Sequence, residues 1–284
     1  MRSLGIDVGV TKGLDLVLLD DSLRPTDTAR RIQPEDLANL IGDMEPDVVA
    51  IDSPPTWGLG KGSRRTEQAL REFGIQSYGT PPAGERDDHP FYAWMKVGFR
   101  AFEEAAKAGF PRYASGSVRG RAIEVFPHAT AVALSGCVPA RSVRKREFRE
   151  AVLRSNRVEV KELRSLDQVD AALAALTGLL ALRGRLSALG DPKEGVIVLP
   201  VSSLPARPFR RCAEQRRVDD VQVRFPGMTP CGCGDPACRE MTSREFAPGH
   251  DARRKSMLWG TAREGQTAVE ELRRRGWELP PEMR

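Results

Sequence analysis

No stretch of the 284-residue chain approaches the roughly 18 consecutive uncharged apolar residues of a membrane-spanning helix, so none is expected. The opening MRSLGIDVGV lacks the basic-then-apolar layout of a signal peptide and runs straight into a strand pattern, which makes a cytoplasmic address the expectation. Cysteine is scarce, five in all, and three of the five (Cys231, Cys233, Cys238) fall between positions 231 and 238. That bunching argues against a disulfide framework and reads as metal binding in a cytosolic protein. Cys137 stands apart and reads as a small buried hydrophobe. No internal repeat stands out, which excludes a solenoid.

Charge is plentiful and unevenly placed. The net charge is +5 and the pI about 9.1, a mild basic bias compatible with a nucleic-acid partner. Residues 206–284 hold 16 basic and 12 acidic side chains, against 28 and 27 in the first 205, so most of the excess lies in the last quarter.

The first two-thirds alternate strand and helix patterns. Short apolar runs at 3–9 and 14–19 flank a Gly-containing turn and predict a hairpin; a third, weakly patterned strand is expected at 28–32. Pro34 opens a helix over 34–43 with Leu37, Leu40 and Ile41 on one face. The run Asp47–Ile51 is continuously apolar after its first residue, as in a strand covered on both faces, and Asp52-Ser-Pro-Pro ends it. Residues 56–90 are polar and rich in Gly and Pro, with one helix at 64–73; long irregular segments of this kind usually carry function. Helices at 91–108, 145–155 and 166–186 and strands at 121–126 and 196–199 complete the body. The expected organisation is an α/β domain over 1–200, a linker over 201–230 and a small C-terminal module over 231–284.

Acidic residues punctuate this succession. Asp7 lies inside the first strand between Ile6 and Val8, Asp52 closes the buried strand, and Glu124 lies in the 121–126 strand. Asp167 and Asp170 occupy the first turn of the long helix, three apart and so on one face. A carboxylate in an apolar strand is costly unless paired or bound to metal. Hard divalent cations favour such oxygens. Each residue also has a plain structural role open to it: Asp52 as a turn residue, Asp167 as a first-turn acid at the helix dipole, Glu124 pointing to solvent.

The order hairpin, third strand, helix, buried strand, further helix, strand, long helix is that of the ribonuclease H-like fold. The strings GIDVG, VVAIDSPP, the helix bearing Arg65, Glu67, Leu70 and Arg71, EVFPHAT and LDQVDAALAAL resemble the DUF429 family. The last string is also similar to the final catalytic helix of RuvC-type Holliday-junction resolvases. The resemblance implies a mixed five-stranded sheet flanked by helices and a nuclease using two Mg²⁺ or Mn²⁺ ions. It implies Asp7 as the bridging carboxylate, Asp52 and Asp170 as further ligands, and Asp167, Glu124 and His128 as catalytic contributors. Lys61 and Arg65, in the irregular segment, are candidates for contact with substrate phosphates, with a solvated surface as the alternative.

Near the C-terminus, Cys231, Cys233, Cys238 and His250 offer three thiolates and an imidazole, the donor set of a closed structural Zn²⁺ site. A segment of some fifty residues buries little core, so a metal staple has a physical purpose. Cys212 is a possible substitute ligand. Arg253, Arg254 and Lys255 follow as a basic turn suited to phosphates. Two other function classes remain open at this point. GIDVGVTK resembles the first phosphate loop of actin-like and sugar-kinase ATPases, although a second phosphate loop and a late Gly-Gly adenosine motif are both lacking. A noncatalytic nucleic-acid-binding protein would carry the same acids without metal.

Overall fold

The computed structural model describes residues 1–212 except positions 10, 61, 87 and 88, and in the last quarter only Thr229–Pro230, Met241–Thr242, Glu270 and 272–274. The chain divides into two compact units, Met1–Val223 and Arg224–Arg284. Lys61, Cys231, Cys233, Cys238, His250, Arg253, Arg254 and Lys255 lie outside the described residues.

The body is one mixed sheet with helices packed on it. Strands β1 (Arg2–Gly9), β2 (Gly13–Asp20) and β3 (Pro25–Ile32) form an antiparallel meander. Strands β4 (Val48–Asp52) and β5 (Ala122–Glu124) then extend the sheet parallel to β1. The expected mixed sheet flanked by helices is present, but it has seven strands rather than five, in the order β3-β2-β1-β4-β5-β7-β6. The extra hairpin is β6 (Ser187–Asp191) with β7 (Gly195–Leu199). Only β7 announces itself, because GVIVL is an apolar, wholly buried run whereas SALGD is short of apolar residues and has none buried.

Six helices surround the sheet: α1 (Leu37–Met44), α2 (Arg65–Glu72), α3 (Ala93–Lys107), α4 (Pro127–Ser135), α5 (Lys145–Ser155) and α6 (Leu166–Leu182). Helix α4 was not anticipated from periodicity, because its mostly small residues are buried on several sides and leave no apolar stripe. Pro127 at its first position is the local signal that marks it.

Helix α6 is the spine of the core. Every residue from Gln168 to Ala181 is buried, so it has no solvent face at all. It reaches β1 backbone to backbone at Gly5, where an added Cβ would lie 1.9 Å from the Ala171 carbonyl oxygen and 2.4 Å from the Ala175 nitrogen. Two turns on, a Cβ at Gly178 would lie 2.2 Å from Ser3 Oγ. Small residues on both surfaces thus let helix and strand approach closely, backbone on backbone at Gly5 and with only the small Ser3 side chain facing Gly178. The N-terminus of α6 is fixed too: Ser165 Oγ accepts from the Gln168 amide at 3.0 Å and donates to Asp15 of β2 at 3.2 Å.

Residues 201–212, expected within the linker, are fastened to the body. The Phe209 amide donates to Phe73 O at 3.0 Å, Val138 N to Arg210 O at 2.9 Å, and Cys212 N to Val138 O at 2.8 Å. Cys137 is not a lone hydrophobe, because it forms a disulfide with Cys212. The partners are 75 residues apart, a pairing that local sequence does not reveal, and it removes Cys212 from the candidate zinc ligands.

The Gly5 contact predicts a sharp asymmetry between two glycine replacements. Gly5→Ala should destabilise by about 1–3 kcal/mol or more, because backbone atoms must move. Gly42→Ala, on α1 with nothing within 4 Å, should stabilise by about 0.5–1 kcal/mol. Paired thermal melts check this; equal effects would mean that α6 does not bear on β1 as described.

Candidate metal centre

Two strands and one helix deliver the acids to one end of the sheet. Parallel pairing of β1 with β4 sets Asp7 directly beside Asp52, and α6 brings Asp170 above them. One carboxylate oxygen from each of Asp7, Asp52 and Asp170 lies within 4.8 Å of the others. Asp167 sits one turn earlier on α6, close enough to act electrostatically on Asp7, and is ion-paired with Lys12 at 3.2 Å. These four sequence-derived candidates therefore converge.

Their environment penalises negative charge. Burial pushes the Asp7 carboxyl well above the ordinary range, and the charges of Asp52, Asp170 and Asp167 push it further. Burial, with the charge of Asp170, raises Asp52 to about 7, although Arg149, Lys145 and a hydrogen bond with Asp7 oppose the shift. Asp170 is also raised by burial, against the pull of Arg149 and Lys145. An all-oxygen donor set of this density suits a hard divalent cation, which would replace the protons that burial otherwise imposes.

The counter-charges come from α5. Arg149 Nη1 donates to Asp170 Oδ1, and Lys145 Nζ lies 3.7 Å from Asp170 Oδ2. Spaced i and i+4, these two cations share one face of α5. Arg149 is buried, and its Nε has no hydrogen-bond partner among the described residues. Neither residue is conspicuous in the sequence, since a basic pair on an amphipathic helix looks like a solvated face. His128, the second residue of α4, is brought to the same neighbourhood. Burial, then the charges of Arg149 and Lys145, lower its pKa to about 4, so its ring is neutral at physiological pH.

Glu124 is placed elsewhere, and the expectation that it belongs with the catalytic acids is corrected. Its oxygens receive both terminal nitrogens of Arg64, at 2.5 and 2.9 Å. Arg64 is only 2% exposed and also donates from Nε to Glu67 Oε1 at 2.8 Å. Glu67 closes the knot by accepting from Thr80 Oγ1 at 2.6 Å and from the Arg64 amide at 2.6 Å. A carboxylate bound bidentately to a buried guanidinium has its charge already matched. Arg65, the neighbour singled out from sequence, is exposed beside Leu59, Ser63, Gln68, Asp191 and Glu194. The apolar Ile123 and Val125 around Glu124 signal burial but do not say which partner meets it.

Arg64→Met should cost about 3–5 kcal/mol, because it strands two buried carboxylates. Glu124→Gln should leave Mn²⁺ affinity unchanged by calorimetry, whereas Asp52→Asn should remove it. Loss of Mn²⁺ binding in Glu124→Gln would return that residue to the metal centre.

The family model of DUF429, a protein family of unknown function, matches residues 5–194. No curated protein is significantly similar in sequence. Among solved structures, the chain is similar to Thermus thermophilus RuvC bound to a Holliday-junction substrate, at 16% identity and a TM-score of 0.36, over 62% of this chain and 90% of that one. A second Thermus thermophilus RuvC structure is similar at 16% identity and a TM-score of 0.35, over 62% and 91%. With its five motifs inside the matched span and that span covering most of the folded body, the chain belongs to the DUF429 family.

Proposed function

We propose that the protein is a metal-dependent nuclease that hydrolyses nucleic-acid phosphodiesters with two Mg²⁺ or Mn²⁺ ions. The observation that carries this reading is the convergence of Asp7, Asp52 and Asp170 within 4.8 Å at a sheet end where burial and mutual repulsion oppose their ionisation. When bound, the paired ions would supply an activated water and stabilise the leaving oxygen. Asp7, Asp52 and Asp170 would hold the ions, with Asp7 expected as the shared ligand and Asp167 as an auxiliary acid. Lys145 and Arg149 draw the substrate phosphate to the carboxylate face, and the free Nε–H of Arg149 is a donor held ready for an anionic oxygen. His128 adds no positive charge near pH 7 and presents a ring nitrogen that can accept a hydrogen bond from water or substrate. The Cys231, Cys233, Cys238 and His250 module is read as a structural Zn²⁺ site, with Arg253, Arg254 and Lys255 as phosphate contacts. Metal analysis should find one zinc per chain, absent from Cys233→Ser.

Asp7→Asn should lower cleavage by on the order of 10²–10³-fold. Without divalent metal, at alkaline pH where the cluster ionises, it should raise stability, since one buried like charge is removed. The pH dependence has a definite sign. Asp52 titrates at about 7 in the folded chain and at 3.8 unfolded. The folded state therefore binds the extra proton, and metal-free stability falls as pH rises from about 4 through 7. Mn²⁺ should reverse this at pH 8, adding about 2.7 kcal/mol at a hundredfold excess over Kd, and should add little at pH 5. Full cleavage by Asp7→Asn, or equal Mn²⁺ stabilisation at both pH values, would overturn the assignment.

A further inference from the structure

The cavity beside the metal centre is formed by the same strand end that presents Asp52. Asp52 lines it together with Ser77, Tyr78, Trp94, Met95 and Phe126, and it is partly open to solvent. The charged groups that also border it, Arg64, Glu67 and Glu124, are committed to one another through the hydrogen bonds described above. The cavity thus offers no unmatched charge apart from Asp52, which disfavours an ionic ligand. Its walls supply aromatic side chains and a buried polar atom left unsatisfied: Ser77 Oγ has no hydrogen-bond partner among the described residues.

The mouth is aromatic as well. Tyr78 is 69% exposed and Phe91 43%, although both are large and apolar. Their rings meet edge to face at 5.1 Å, and Phe91 meets Tyr92 in the same way at 5.0 Å. Exposed aromatics grouped at a pocket entrance mark a recognition surface rather than scattered surface residues.

From these features we infer that the cavity takes an unpaired nucleobase of the strand whose phosphate lies at the metal centre. This rests on the nuclease reading and sharpens it by naming the substrate class: nucleic acid with unstacked bases at the cleavage point, either single-stranded or branched. A base is flat, uncharged and rimmed with hydrogen-bonding groups. It matches a slot with aromatic faces and a lone hydroxyl, and its sugar-phosphate would lie toward Asp52. A base stacked within a continuous duplex is not available to such a slot without first being extruded. Stacking on an aromatic side chain is tolerant of base identity, so little sequence preference is expected.

Binding without cleavage tests this. The full chain carrying Asp7→Asn is titrated with a single-stranded oligonucleotide, with the same strand bearing one abasic sugar at successive positions, and with a duplex. Removing the base at one position should weaken binding about tenfold, and 2-aminopurine there should be quenched. In Trp94→Ala and Tyr78→Ala backgrounds the abasic penalty should shrink; Tyr78 is exposed enough that its loss does not threaten folding. Equal affinity for intact and abasic strands at every position, or an undiminished penalty in both variants, would overturn the proposal. So would saturation by free nucleoside with no gain from the attached strand. Cleavage by the unsubstituted chain is measured in parallel. A chain that cuts intact and abasic strands equally keeps the nuclease reading and loses the pocket. One that discriminates abasic strands but never cuts keeps the pocket and loses the nuclease reading.

Discussion

The arrangement depends on one contact, the backbone of α6 lying directly on β1 at Gly5. With no side chain between them, helix and strand have a single register, and that register places Asp170 over Asp7 and Asp52. Burial of α6 on all sides prevents rotation about its axis, while Ser165 and Asp15 pin its first turn. Clustering buried carboxylates opposes folding, and it persists because the surrounding core over-determines where they sit. Stability and site geometry are therefore set by the same interface.

Six buried or half-buried acids in the body meet different fates, and the difference marks out the candidate site. Glu124 and Glu67 are neutralised by Arg64 and by hydrogen bonds from Thr80. Asp15 accepts from the Arg31 amide, Ser165 and Arg30. Asp170 is held by Arg149 and Lys145. Asp7 and Asp52, in contrast, have no ion pair with a cation among the described residues. Their carboxyls are left to share a proton or accept a metal. Incomplete satisfaction, rather than acidity itself, separates a metal centre from a structural knot.

Much of this was legible in the chain before folding. Asp7 and Asp52 stand out because an acid inside an apolar strand demands an explanation, and Asp170 because it precedes an Ala-rich face. Glu124 has the same local signature but the opposite fate, since the partner that decides it, Arg64, is 60 residues away. Arg65, the candidate for substrate phosphates, is the next residue on a helix start where one side chain faces inward and the following one outward. Lys145 and Arg149 were invisible for a related reason: a basic i, i+4 pair acquires meaning only from what α5 packs against. The Cys137–Cys212 bond is likewise a product of chain return.

The acidic cluster and the neighbouring cavity are coupled through the turn that begins at Asp52. Helix α3 packs on that turn at Gly98, where a Cβ would lie 1.7 Å from Ser53 Oγ. Trp94 is four residues earlier, one helical turn away on the same side of α3. The contact that fixes Ser53, and with it the Asp52 carboxylate, therefore also fixes the indole in the cavity wall. A shift of α3 along the sheet would move the cavity wall relative to the acids, so the distance between them is a property of the fold. A strand engaging both would meet a preset spacing between phosphate and base, and rigid spacing of that kind lowers the ordering cost of binding.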